Sequence, residues 1–430
     1  MSARIAPIAI AASLSRSTSV ARSFCEAAEV SVPDDAGKAR GLLSGIRVVD
    51  LSGYEGIYGA RLLADLGADV VRVERDNRDP DIAPGPFIVN SAGEPSSAFC
   101  AFVNLNKRVV HLDPRDEAER AALQGLIDLS DIVLADSLPE GLRVPQNVAL
   151  VETSVFGHAG SGNDYVGSDL VALAAGGLLS LGGYPDTPPV AVYGNQAYLS
   201  GGVMTGVAAV LALLGRTESE APRADVSVQA TLVGALEDAT AEFDLRGTVR
   251  RRAGDQPREA GTGIFRSSDG YIAMVAGKLG TAKAWLNLVA WLQEAGVEGA
   301  DELAGAEWTT IEKRRDLESI DKFRVILEAY TTTKSSEWLY REGQSRAIAI
   351  APVNTLAEVL ADPQLKYRVF FRAIFSPDFA TELIVPGKPY RLYDLPNFDS
   401  WSLASEAKLV DVEDDWSTSS TTWLNAEMRA

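Results

Sequence analysis

Six side chains in two short stretches could hold a polyanion. Arg72 and Arg75 close the segment ADVVRVER, and Asn104, Asn106, Lys107 and Arg108 open the segment NLNKRVVHLD. Guanidinium forks match phosphate oxygens and can stack on a base, while amides and an ammonium add donors. A ligand with several phosphates and an adenine would suit the two clusters if they lie at neighbouring strand ends. Solvated surface charge would account for the same residues without a ligand. A nicotinamide dinucleotide is the obvious rival, since Glu74 follows Gly53 by 21 residues, where an acid would hold a ribose. The glycines are Gly53, Gly56 and Gly59, however, spaced G-x-x-G-x-x-G, and Arg72, Arg75 and Arg78 crowd the acid. That departs from the G-x-G-x-x-G fingerprint and weighs against the dinucleotide.

Other chemistries are poorly supplied. The only histidines are His111 and His158, and the two cysteines, Cys25 and Cys100, stand in no cluster of metal-ligand spacing, so no metal is expected. Two cysteines also make no disulfide framework, which points to a reducing, cytoplasmic setting. A net charge of −19 over 430 residues argues against a nucleic-acid protein. No apolar run is read as reaching the ~20 residues of a membrane span, so no membrane partner is expected.

The elements that would position these residues follow from periodicity. IRVVDL, SGYEG, YGARLLADLG and ADVVRVE read as strand, glycine-rich turn, helix and strand, a βαβ unit. RVVHLD, an amphipathic helix opened by Pro114, and DIVLAD repeat the pattern, and Val148 to Ser154 adds a strand. Long apolar helices cover Ser168 to Leu181 and Tyr198 to Leu214. These make an α/β, doubly wound, Rossmann-like domain over 41–225. An inserted α+β domain, with a hairpin turning at Asp269-Gly270, occupies 226–347, and 348–410 returns to the first domain. Residues 411–430 read as a solvated acidic tail. Residues 1–40, with no acid before Glu26, read as an extension that is disordered or a targeting peptide, which would be mitochondrial in a eukaryote.

Several ordered segments resemble the class III CoA-transferases, of the formyl-CoA transferase and crotonobetainyl-CoA:carnitine CoA-transferase type. They are GIRVVDLS and LLADLGADVVRVER, GPF at 85–87, NLNKRVVHLD at 104–113, SVFG at 154–157, GSDLVALAAGG at 167–177, DTPP at 186–189, ADVSVQA at 224–230, GIFRSSDGYIAM at 263–274 and APVNTLAEVLADPQL at 351–365. The resemblance implies coenzyme A or an acyl-CoA as substrate, with no permanently bound cofactor. Arg75 and the Asn104 to Arg108 stretch would lie at its adenine and phosphate end. It also implies an interlocked dimer.

Relatives attack the thioester with an aspartate in a Gly-Asp pair before a long apolar helix, because the path runs through a mixed anhydride and an enzyme-bound thioester. Counting from either flank places that position at Tyr198, and no Asp or Glu occurs from Thr187 to Thr217. By the same resemblance, Asp169 lies beside the thioester, Glu55 falls where a loop glutamine covers the intermediate, and His158 and Ser168 face the acyl pocket. Gly261 belongs to a glycine-rich lid, Glu259 to Gly263. Asp169 and Glu55 could also be helix-capping or supporting acids. Three functions remain open: a subunit of a hetero-oligomeric CoA-transferase whose homologous partner carries the aspartate, a self-sufficient transferase using Glu55 or Asp169, or a non-catalytic acyl-CoA-binding protein.

Overall fold

The computed structural model describes residues 41–74, 85–276, 282–376, 379–392, 405–406 and 408–418. The extension at 1–40 and Arg75 lie outside them.

Strands form where β-branched residues alternate between two buried faces. The described strands of the first half are β1 (Arg47–Leu51), β2 (Asp69–Glu74), a hairpin of β3 (Phe87–Val89) and β4 (Pro95–Ser97), β5 (Arg108–His111), β6 (Ile132–Ala135), β7 (Ala149–Ser154) and β8 (Arg223–Ser227). Between them run the helices α1 (Ile57–Asp65), α2 (Ala98–Val103), α3 (Glu117–Leu129), α4 (Asp169–Ala175) and α5 (Gln196–Gly215), and α6 (Val228–Gly234) follows β8. A parallel sheet of seven strands runs Ser405–Glu406, β5, β2, β1, β6, β7, β8. Val48, Val70, Ile132, Leu134 and Val151 point to one face, against Ala60 and Leu63 of α1 and Ala209 and Leu213 of α5. Val49, Val71, Val133 and Leu150 point to the other, against Leu123, Leu126 and Ile127 of α3. Both faces are therefore apolar and covered, which is the doubly wound arrangement the sequence implies.

The chain builds outward from β1 to β2 and β5, then restarts on the other side of β1 with β6. The segments after β1 and β6 pack on opposite faces, which makes the carboxyl edge between these strands the topological switch point.

α5 is 20 residues long and, by length and composition alone, sufficient to cross a membrane. That corrects the expectation that no such run exists. Here it is a core helix. Its small face, Gly201, Gly202, Thr205 and Gly206, is buried, Thr205 and Thr153 of β7 share a hydroxyl hydrogen bond of 2.8 Å, and Gly202 lies against Gly59 of α1.

A second core lies in an antiparallel sheet of β9 (Thr262–Arg266), β10 (Tyr271–Val275) and β11 (Ala349–Pro352), ordered β11-β10-β9. Phe265, Met274, Trp285, Trp291, Trp308 and Phe323 fill it. Sheet pairing moves both expected domain boundaries, because β8, the last strand of the large sheet, straddles residue 226 and β11 pairs with β10 beyond 347. The acidic tail also needs correction. Residues Leu409–Thr418 form a helix whose Val412 and Trp416 are buried in the face shared with α3. Trp416 donates its indole N–H to Asp69 Oδ2 at 2.8 Å, and its carbonyl accepts from Arg47 at 3.1 Å. Acids at 411 and 413–415 mark the wet side of an amphipathic helix.

Candidate functional site

The carboxyl edge of the sheet gathers three acids, a tyrosine and a histidine. Glu55 stands in the turn after β1, Asp136 directly after β6, His158 after β7, Asp169 in the first turn of α4 and Tyr198 in the first turn of α5. Gly53 shows how closely two of them approach. A Cβ added there would stand 2.5 Å from a Glu55 carboxylate oxygen and 3.4 Å from one of Asp136. Burial pushes the Glu55 carboxyl above its usual range, and the charge of Asp136 pushes the same way.

Asp169 does the work of a helix cap. Asn195, at the N-cap of α5, makes no side-chain capping bond, and Asp169 Oδ1 instead accepts from the Tyr198 N–H at 3.0 Å. Its pKa is raised by burial, against the pull of the Tyr198 and Ala197 amides. Ser168 is itself the N-cap of α4, accepting from Val171 N–H at 3.3 Å. The half-buried Tyr198 phenol is pushed up to about 12 by burial, with Glu55 and Asp169 adding to it. It is therefore neutral at physiological pH.

His158 is committed on every side. Its N–H donates to both oxygens of Asp225 at 3.1 and 3.0 Å, Nδ1 lies 3.2 Å from Asp225 Oδ1, and Nε2 lies 2.7 Å from the Asp136 carbonyl. A carbonyl and an ionised carboxylate only accept, so both bonds form together only when the ring is the doubly protonated imidazolium. Burial pulls its pKa down, but the bonds to Asp225 and the Asp136 carbonyl and the charge of Glu152 outweigh this, and the pKa is raised. The ring, expected to face the acyl pocket, ties the β7 loop to β8 and to the β6 exit. A raised histidine contributes stability that is complete below its unfolded pKa, near 6.5, and lost as pH climbs through the folded value. His158→Ala should therefore lower the melting temperature more at pH 6 than at pH 9. Because the ring is partly exposed, the difference should stay below about 1 kcal/mol; equal shifts at the two pH values would exclude the ion pair. A depression of about 500 Å³, lined by Phe156, Gly157, Ala159, Asp225, Ser227, Gln229, Ala230 and Val233, opens beside Asp225. Its lining includes none of Glu55, Asp169 and Tyr198.

The anticipated polyanion cluster turns inward. Lys107 is buried and donates to Asp50 Oδ2 at 2.9 Å, Ile57 O at 3.1 Å and Asn104 Oδ1 at 3.1 Å. Arg72 donates to Ser52 O at 2.5 Å and Asp50 Oδ1 at 3.3 Å. Asn106 donates to Asp65 at 2.7 Å, and Arg108 bonds Asp69 and, at 3.1 Å, Asp415. Register sets Arg72 opposite Val109, one residue past Arg108, so both clusters lie beside Asp50 at the end of β1. Asn104, Asn106, Lys107, Arg108 and Arg72 each have a protein partner in this structure, and Arg75 lies outside the described residues. Gly261, the expected lid residue, stands at the edge of the small sheet. It is buried at φ +90°, its carbonyl accepts from Ala276 N–H at 2.7 Å, and Glu259 beside it is buried near Arg315. In this structure the segment forms a corner of the small sheet.

Sequence reading missed Asp136, Asp225 and Asp50. An acid directly after a buried strand of a parallel sheet must stand at the ligand edge, and that signal was present for Asp136 in DIVLAD.

Residues 43–402 match the sequence profile of CoA-transferase family III. The chain belongs to that family. It is 33% identical over 380 residues to the succinyl-CoA:(R)-benzylsuccinate CoA-transferase subunit BbsE of Thauera aromatica, covering 85% of this chain and 91% of that protein. It is 27% identical to the succinyl-CoA:mesaconate CoA-transferase of Haloarcula hispanica, covering 82% and 90%. A CAIB/BAIF family protein from Brucella suis superposes with a TM-score of 0.71 at 23% identity, over 87% of this chain and 99% of that one. Members of CoA-transferase family III use CoA thioesters as substrates.

Proposed function

We propose that this family III chain acts in moving CoA between an acyl-CoA thioester and a free carboxylic acid, as the subunit that does not supply the nucleophile. A homologous chain would carry the attacking aspartate. The observation behind this is Tyr198. It heads α5, its phenol is held neutral, and no carboxylate accompanies it from Thr187 to Thr217. A neutral phenol cannot replace the carboxylate that attacks the thioester carbonyl, expels the CoA thiolate and forms an anhydride. The relative BbsE is itself named as a subunit. Val203, Val207, Leu211 and Leu214, at helical spacing along the outer side of α5, are exposed and would suit a partner chain. Succinyl-CoA is the donor we favour, since two relatives carry it in their names and a third acts on succinate and glutarate by name.

A second reading keeps the chemistry in this chain, with Glu55 as nucleophile, because Glu55 and Asp136 converge over Gly53. Exchange of labelled succinate into succinyl-CoA separates the readings. The chain purified alone should exchange at least about a thousandfold slower than when paired with an aspartate-bearing homologue, as expected when a nucleophile is absent. An ordinary rate for the chain alone would end the subunit reading, and hydroxylamine trapping with mass spectrometry would then show whether Glu55 or Asp169 is acylated. A partner whose rate is unchanged when this chain is left out would leave only silent acyl-CoA binding.

A further inference from the structure

We infer that Lys107 is a positioning residue for the Glu55 loop, tying both ends of residues 52–57 to the sheet through Asp50 and together with Arg72. The loop's far end is held by Lys107 Nζ, which donates to Ile57 O at 3.1 Å. Its near end is held twice, by Ser52 N–H donating to Asp50 Oδ1 at 3.0 Å and by Arg72 donating to Ser52 O at 2.5 Å. Lys107 and Asp50, 2.9 Å apart and both fully buried, join the two ends. Inside the clamp, Gly53 O accepts from Gly56 N–H at 3.2 Å and Ile57 N–H at 3.0 Å, so Glu55 rides on a turn with fixed feet.

Burying a lysine, an aspartate and most of an arginine is costly, and apolar replacements of such groups are often neutral or stabilising. Burial lowers the Lys107 pKa to about 8, while Lys107 and Arg72 together hold Asp50 below its usual range. The pattern fits a network kept for geometry, since every bond beyond the ion pairs and Asn104 ends on the backbone of this one loop.

The inference rests on the reading above only in counting Glu55 as part of the site. Its test reads the loop itself, so a chain inactive with every partner would leave it standing. Hydrogen exchange by mass spectrometry on the full chain should show the amides of 52–57 exchanging at least about tenfold faster in Lys107→Met, with β9 and β10 unchanged. The paired replacement Asp50→Leu with Lys107→Met removes both buried charges. It should recover melting temperature relative to Lys107→Met while the loop stays fast. Unchanged exchange at 52–57 in Lys107→Met, or recovery of loop protection together with melting temperature in the pair, would overturn the role. If Lys107→Met does not fold, Arg72→Gln decides. It removes one of the two ties at the Ser52 end, together with the Arg72 bond to Asp50, and exchange within 52–57 should still rise; no rise would overturn it.

Discussion

Asp131→Ala should cost about 3 kcal/mol of unfolding free energy, and up to about 5, the range for removing one partner of a buried ion pair. Asp131 is fully buried and accepts from Arg47 N–H at 2.9 Å, Arg47 Nε at 3.0 Å, Arg47 Nη2 at 3.2 Å and Arg216 Nη1 at 2.7 Å. Those bonds join the start of β6 to the start of β1 and to the end of α5, and Arg47 continues to the Trp416 carbonyl of the C-terminal helix. Alanine would strand two guanidinium groups that have only edge access to water. Because each retains some exposure, the lower end of the range is expected. The cluster lies at the amino edge of the sheet, away from Glu55 and Tyr198. Denaturant titration should show a lower midpoint with an unchanged slope, and a loss below about 1 kcal/mol would mean that the arginines rehydrate freely.

Gly59→Ala should cost about 2 to 3 kcal/mol, the upper part of the usual range for overpacking a well-filled core. A methyl there would stand 2.6 Å from Gly202 O, 2.8 Å from Thr205 Cβ and 2.9 Å from Gly206 N. Two of these are backbone atoms of α5, so no rotamer change relieves the clash and the helices must separate. Separation would reach the site. α1 begins at Ile57 behind the Glu55 turn, and a Cβ at Gly201 would lie 3.0 Å from the Glu55 carbonyl, so α5 touches the turn directly. Gly125→Ala, in the interior of α3, serves as the contrast. Its added methyl meets only Glu413 Oε1, at 3.5 Å, and helix propensity should stabilise the fold by roughly 0.5 to 1 kcal/mol. Thermal melts of the two variants should move in opposite directions; a shared direction would mean that the α1–α5 contact yields.

Much of the architecture was present in local pattern. The runs RVVDL, DVVRVE and IVLA place alternate residues on two faces, and both faces are apolar, which leaves a parallel sheet covered on both sides as the consistent arrangement. The hairpin at Asp269-Gly270 followed from turn chemistry alone, and Ser267 N–H donates to Gly270 O at 2.9 Å across it. The nearness of Glu55, Asp169 and Tyr198 was implied by the family resemblance, and in the structure Asp169 accepts from the Tyr198 N–H while the charges of Glu55 and Asp169 both act on the phenol.

What a side chain bonds was not legible. Lys107 and Arg72 have the types and order of a phosphate site, yet Asp50, more than twenty residues from either, claims both. A cation's partner is set by register and by the depth of the atoms around it, and neither quantity is local. The same holds for Asp411, Glu413, Asp414 and Asp415, whose helix is anchored by Val412 and Trp416 in a core built from distant strands. Sequence by itself determined the layers and the absence of a carboxylate from Thr187 to Thr217, since these depend on periodicity and residue identity. Tertiary structure decided which charges hold the loops in place, because desolvation makes a buried charge bind its nearest partner wherever in the chain that partner lies.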